Sequence, residues 1–208
     1  MKLKKKAKVI IILITIVILL ITAGIIISKV KKDKTPEVKE VKVLKTIDAY
    51  GYNLKDNKNA RYKELFKELE TILLEEKVND EEYVKKISEM FIYDFYSLSE
   101  RSAKTDVGGV DFVYPSSLQN FLINAENTFY KYVESNIYGD RKQKLPLVQT
   151  ITIESIIPTE YVYGENKYPS YEVKAKWTYT DSSYNSYQSN ATLTFIKEDI
   201  KYYLVELQ

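Results

Sequence analysis

The sequence predicts an α+β domain behind a single N-terminal membrane span. Three observations carry that reading. The run from Val9 to Ile27 is apolar except for two threonines and a glycine. From residue 59 to about residue 139, apolar side chains recur at helical spacing. After Leu145 the period changes from 3.6 to 2. Helices gathered on one face of an antiparallel sheet bury both apolar surfaces together. The expected architecture is therefore one transmembrane helix, then three amphipathic helices on a curved antiparallel sheet of about four to five strands. Its divisions are a basic tail (1–8), the span (9–27), a linker with a lead-in strand (28–58) and the α+β domain (59–208).

Val9–Ile27 has about the ~20 residues a helix needs to cross a bilayer core. A cleaved signal peptide is the competing reading, with Lys2, Lys4, Lys5, Lys6 and Lys8 as its basic start and Thr22-Ala23-Gly24 as its cleavage site. Ile25, Ile26 and Ile27 continue the apolar run past that site, and Lys29, Lys31, Lys32 and Lys34 then stop it, which favours an uncleaved single-pass anchor. A lipid-modified cysteine is excluded, because the chain has none. Both flanks are basic, so the positive-inside rule is nearly balanced. An eight-residue tail has little to do except anchor, which places the N-terminus in the cytoplasm and the domain outside a bacterial cell membrane.

Composition narrows the function classes. The chain has 208 residues, 31 Lys and Arg against 29 Asp and Glu. Six of those lysines lie in the first 29 residues, which hold no acid, so the remainder carries a net charge of −4. That is no electrostatic footprint for nucleic acid, and the basic tail suits anionic lipid head groups instead. With no Cys and no His, disulfides, thiol and imidazole catalysis and nearly all zinc sites fall away. No cofactor and no metal is expected.

Residues 28–42 are charged and contain Pro36, an exposed linker. Residues 43–54 read as a short strand broken near Gly51 or an irregular lead-in, and 56–59 as a turn. The first helix is expected over 60–77, capped by Asn59, with Tyr62, Leu65, Phe66, Leu69 and Leu73 on one face. The second is expected over 80–98, capped by Asn79 and buried on more than one side. Residues 99–115 form a long connection with Gly108-Gly109 and a possible strand, Val110–Tyr114. Ser116 and Gln119 fit a capping box for the third helix, with Leu118, Phe121, Leu122, Ala125, Phe129, Tyr132 and Val133 inward. Four antiparallel strands follow, the clearest being Tyr171–Tyr179, with a polar hairpin loop at 181–188 and a tight turn at Glu198-Asp199.

The order helix, helix, short strand, helix, curved meander resembles the NTF2-like fold over residues 60–208. Together with one N-terminal span, it is similar in outline to conjugation-channel components of the VirB8 and TcpC type. The resemblance rests on element order and transfers no site residue. It implies a cone-shaped domain that assembles with copies of itself or with other envelope proteins.

Four groups of residues are candidates for function. Asp94 sits in the most apolar helix; if buried, its carboxyl rises in pKa and suits general acid–base work, as a carboxylate in the cone does in NTF2-like enzymes. The alternative is a structural Asp bonded to a nearby backbone group or Tyr hydroxyl. Glu100, Asp106 and Asp111 around Gly108 and Gly109 suggest a cation site, but no EF-hand pattern is present and a solvated turn fits as well. Arg101, Lys104 and Asp106 suggest an anionic ligand, or surface ion pairs. Tyr161, Tyr163 and Tyr168, taken as a loop before the Trp177 strand, suggest an exposed aromatic contact for a partner. Asn190-Ala191-Thr192 matches a glycosylation sequon by chance. The expected function is a non-catalytic interaction module of the envelope, with a ligand-binding sensor and an Asp94 enzyme as alternatives.

Overall fold

The computed structural model describes residues 41–208, so the expected tail, span and most of the linker lie outside the described residues. No helix among the described residues is long and apolar enough to cross a membrane. The described chain is a mixed α+β structure with three α-helices and a curved four-stranded antiparallel sheet.

β1 (Val43–Ile47) and β2 (Tyr52–Lys55) form a small antiparallel hairpin. Ile47, Tyr52 and Leu54 enter the main core, and the Tyr52 and Tyr83 hydroxyls lie 2.8 Å apart. The lead-in strand therefore packs with the segments that follow it.

α1 (Ala60–Leu73) begins where its cap dictates: the Asn59 side chain accepts the Tyr62 N–H at 2.9 Å. The five residues expected on its inner face are the five that are buried. It ends at Leu73, short of the expected Lys77. Glu75 and Glu76 would put carboxylates against the negative end of the helix dipole, and Leu74 points into solvent.

α2 (Asp80–Tyr96) is capped by Asn79, whose side chain accepts the Glu81 and Glu82 N–H groups. It is buried on several sides, as its width of apolar residues demands. It stops at Tyr96 rather than Leu98 because tertiary bonds draw the chain away. The Ser97 hydroxyl accepts the Val148 N–H, and the Ser99 N–H donates to the Pro146 carbonyl.

The expected strand at Val110–Tyr114 is a correction. Val110–Phe112 is a single 3-10 turn that follows Gly109 at φ +74°, and only Val113 forms a bridge, parallel to Leu204. Phe112 is driven inward, its ring 5.5 Å from that of Tyr52.

α3 (Leu118–Asn127) is shorter than expected. It is entered through a 3-10 turn over Pro115–Ser117, closed by the Ser117 N–H on the Tyr114 carbonyl in place of the expected Ser116 capping bond. Asn127 and Thr128 donate side-chain bonds to the Ile123 and Asn124 carbonyls, competing with the helical ladder and ending it. Tyr130 and Val133 are then buried from turns, while Tyr132, expected inward, is 76% exposed.

The sheet is a meander in the order β3 (Val148–Tyr163), β4 (Asn166–Tyr179), β5 (Asn190–Glu198), β6 (Lys201–Leu207), each strand antiparallel to the next. In β4 the alternation is as expected: Val173, Ala175, Trp177 and Tyr179 are buried, and Lys174, Lys176 and Thr178 are exposed. α2 crosses the inner face, from Tyr83 with its ring 5.4 Å from Tyr202 to Tyr96 with its ring 4.1 Å from Trp177. The β3–β4 hairpin curls across the outer side, so that Tyr161 donates to Glu206 of β6 at 3.1 Å although β3 and β6 are opposite edges.

The buried phenols give the fold an alkaline limit. Burial pushes up the pKa of Tyr52, Tyr62 and Tyr83. A folded pKa raised above the unfolded value of 10.0 contributes stability that is whole below that value and is lost as pH rises past it. A spectrophotometric titration at the phenolate band is expected to show this buried set ionising only together with cooperative unfolding.

Candidate functional site

The last turn of α2 carries Asp94, which is 6% exposed and surrounded by donors from three other segments. Lys58, in the turn before α1, donates to Oδ1 at 2.5 Å. Arg101, just past α2, donates to the same oxygen at 2.9 Å. The Gly109 N–H donates to Oδ2 at 2.9 Å. Burial alone would push this carboxyl up. The Arg101 and Lys58 charges and the Gly109 N–H outweigh it and hold the carboxyl below its ordinary value. The rise expected from burial is thus reversed. An ionised carboxylate whose two oxygens serve three donors is suited to fastening a loop.

The loop it fastens is 99–115, the segment the sequence marks out. Gly108 lies so close to α2 that a Cβ there would meet the Asp94 carbonyl oxygen at 2.1 Å. Its N–H donates to the Tyr130 hydroxyl at 3.1 Å, which in turn donates to the Phe95 carbonyl at 2.6 Å. Arg141 secures the other flank, donating to the Arg101 carbonyl at 2.8 Å and to the Ser99 carbonyl at 3.0 Å.

Glu100, Arg101, Asp106 and Asp111 do converge, with Asp94, on one small cleft of about 70 Å³. Asp106 accepts the Ser102 N–H and hydroxyl, and stands 3.8 Å from the Arg101 guanidinium. Lys55 and Lys58 share the cleft, and among the described residues no three carboxylates are close enough to hold a metal ion. Arg101 faces Asp94 rather than offering itself to an anion, and Lys104 is exposed.

Tyr161, Tyr163 and Tyr168 are not in a loop. They belong to the β3–β4 hairpin, where Tyr161 faces Tyr168 and the turn is Gly164-Glu165. The strand continues because its alternation, weak in apolar terms, is satisfied by tyrosines covering the curled side of the sheet. The Tyr163 ring lies 6.2 Å from Tyr114, and Tyr114 lies 5.7 Å from Tyr203. Tyr114 also donates to Glu198 at 3.1 Å; desolvation and the Glu198 carboxylate push its phenol up to about 12. Tyr161 and Tyr168 are half-buried, while Tyr163 and its neighbour Val162 remain 48% and 58% exposed.

A third feature escaped the sequence reading: a cleft of about 410 Å³ between α3 and β6. Phe95, Phe121 and Leu204 give it an apolar floor, and Asn120, Asn124 and Glu206 give it a polar rim. Asn120 and Asn124, one turn apart beside the Phe121–Ala125 stripe, were its only sequence signal. Lys58, Tyr130 and Arg141 gave none, since each acts across a long sequence separation.

Compared with protein-family models, curated proteins and solved structures, the chain matches none.

Proposed function

We propose that this chain is a non-catalytic, membrane-anchored interaction module of the bacterial cell envelope, its domain outside the membrane and of NTF2-like design, serving assembly with itself or with another envelope protein, as in a secretion or conjugation channel. The observation that carries this is the hairpin tip. Val162 and Tyr163 are exposed there, and Tyr163 is backed by Tyr114, which in turn packs on Tyr203. A rigid aromatic side chain with an apolar neighbour is the kind of surface that supplies binding energy at interfaces. Strand-to-strand pairing along the β3 edge is the less suited route, because Pro158 and two irregularities in register interrupt it.

A photo-crosslinking residue at position 163, introduced into the full chain in membranes, is expected to give a discrete adduct with a second copy or with one envelope protein. Val162→Asp is expected to abolish that adduct while leaving the fold intact. An adduct unchanged by Val162→Asp, or none at all, overturns the reading. The α3–β6 cleft supports a second reading, a small-ligand sensor. A ligand protecting Asn120 and Phe121 from exchange, with the hairpin tip unaffected, would favour it.

A further inference from the structure

The geometry points to a second docking surface, at the opposite end of the domain from the hairpin tip, which rests on an anionic phospholipid bilayer. Its core is the stretch from Lys131 to Lys144. Ile137 and Tyr138 are the central residues of a turn closed by the Gly139 N–H on the Asn136 carbonyl at 3.0 Å, with Gly139 at φ +72°. Turn tips ordinarily carry Gly, Pro, Asn or Asp, for reasons of backbone freedom and local hydrogen bonding. Here the tip carries an isoleucine 56% exposed and a tyrosine 67% exposed, and Tyr132, earlier in the same stretch, is 76% exposed.

These side chains are held outward by a well-built loop. Gln143 accepts the Glu134 N–H at 2.9 Å and donates to the Tyr132 carbonyl at 2.8 Å. The Asn136 side chain accepts the Arg141 N–H at 3.1 Å. Arg141 reaches the Glu134 carbonyl at 3.2 Å as well as those of Ser99 and Arg101. The backbone polar groups are thus satisfied inwardly, while three large amphipathic or apolar side chains face out. That division is what an interfacial segment needs, with the aromatic rings at head-group level.

Charge complements it. Lys131, Lys142 and Lys144 are exposed against Glu134 and Asp140, with Arg141 half-buried and turned inward, a net positive surface on an otherwise acidic domain. Asp181 lies near enough to influence Lys144 and tempers this only at one margin. A lysine close to an anionic surface adds about fivefold to its affinity.

The position also fits. Ser102 accepts the Asn136 N–H at 2.6 Å and lines a shallow cleft with Val41 and Val43. The loop is therefore at the end where the chain enters the described domain, and Val41, Val43 and Leu44 are themselves about half exposed. This end meets α2 at Ser97, whereas the hairpin tip packs on Tyr114, which donates to Glu198, next to the Lys197 that pairs with Asp80 at the other end of α2. The inference rests on the reading of residues 9–27 as an anchor only in so far as the anchor brings lipid within reach.

The absence of cysteine makes the test direct. Tyr138→Cys, labelled with a fluorophore, is placed in the full chain and reconstituted into vesicles of phosphatidylcholine with or without phosphatidylglycerol, with nitroxides on the lipid head groups. A label at Glu165→Cys in the hairpin turn is the control. Strong quenching at 138 and little at 165, requiring phosphatidylglycerol, is expected. Adding Lys131→Gln, Lys142→Gln and Lys144→Gln is expected to lower the docked-to-lifted ratio about 100-fold, at about fivefold per lysine. Equal quenching at 138 and 165, or quenching indifferent to phosphatidylglycerol, overturns the docking surface. Flotation with vesicles in high salt reads the anchor separately: a chain that floats but is not quenched at 138 keeps the anchor and loses the docking surface. A chain released by high salt but quenched at 138 in low salt keeps the docking surface and loses the anchor.

Discussion

Asp94→Ala is expected to destabilise the domain by about 3–5 kcal/mol, the cost of leaving a buried ion pair with one side missing. Two cations depend on this carboxylate: Arg101, whose side chain is 6% exposed, and Lys58, at 15%. Removing the anion leaves Lys58 desolvated without its partner and Arg101 with only Asp106, 3.8 Å away, and frees the Gly109 N–H that ties loop 99–115 to α2. Most of the loss therefore comes from uncompensated charge, so it is expected to be strongly non-additive. Replacing Lys58 with Met in the Asp94→Ala background should recover part of the stability rather than lower it further. Chemical denaturation of the four variants measures this. The pH dependence has a definite sign. The folded carboxyl is held below its ordinary value of 3.8, so its contribution is whole above that value and fades as pH falls through the depressed folded one. Asp94→Asn is expected to flatten that acid limb while remaining less stable than the parent at neutral pH. A parent and an Asn variant with parallel acid limbs would show that Asp94 is not the group being titrated.

The parts of the fold that were legible are those governed by local physics. The Asn59 and Asn79 caps, the inner face of α1 and the alternation of β4 each follow from a pattern within a few residues. Where the reading failed, a long-range partner had intervened. Ser97 leaves the helix for Val148, 51 residues on, and Phe112 turns inward to meet Tyr52, so a β-like stretch becomes a 3-10 turn. The tyrosines of β3 and β4 read as a loop in the sequence because their alternation is aromatic and polar, a pattern that fits a strand covered by its own curled neighbour. The candidate site shows the same division. Asp94, Arg101 and the two glycines stood out as residue types in an odd setting, but their relation did not. Lys58 is 36 residues from Asp94, and together with Arg101 and the Gly109 N–H it turns a carboxyl expected to rise in pKa into one that falls. In the folded chain Lys58, Arg101 and the Gly109 N–H close on Asp94 as a clasp between loop and helix.

That clasp has a steric counterpart at Gly108, where Gly108→Ala is expected to cost about 3–4 kcal/mol, at or beyond the upper end of overpacking losses. The new Cβ would stand 2.1 Å from the Asp94 carbonyl oxygen and 2.5 Å from its carbon. Neither can swing aside as a side-chain tip can, because both belong to the backbone of α2's last turn. The loop must move instead, and the movement breaks two hydrogen bonds. The Gly108 N–H leaves the Tyr130 hydroxyl, and the Gly109 N–H leaves Asp94. The substitution is therefore expected to loosen loop 99–115 as a unit, with amide exchange accelerating at Gly108, Gly109 and Phe112 before it does in β4. At Gly164, where nothing lies within 4 Å of the added methyl, the same change should cost only about 1–2 kcal/mol, the ordinary penalty of a left-handed backbone for a residue with a side chain. Comparable losses at the two positions would mean that the close approach of loop and helix is not what Gly108 provides. A large loss confined to Gly108, paired with the charge effect at Asp94, would identify loop 99–115 as a rigid strut. It would then link the end that carries Tyr138 to the helix that backs the sheet.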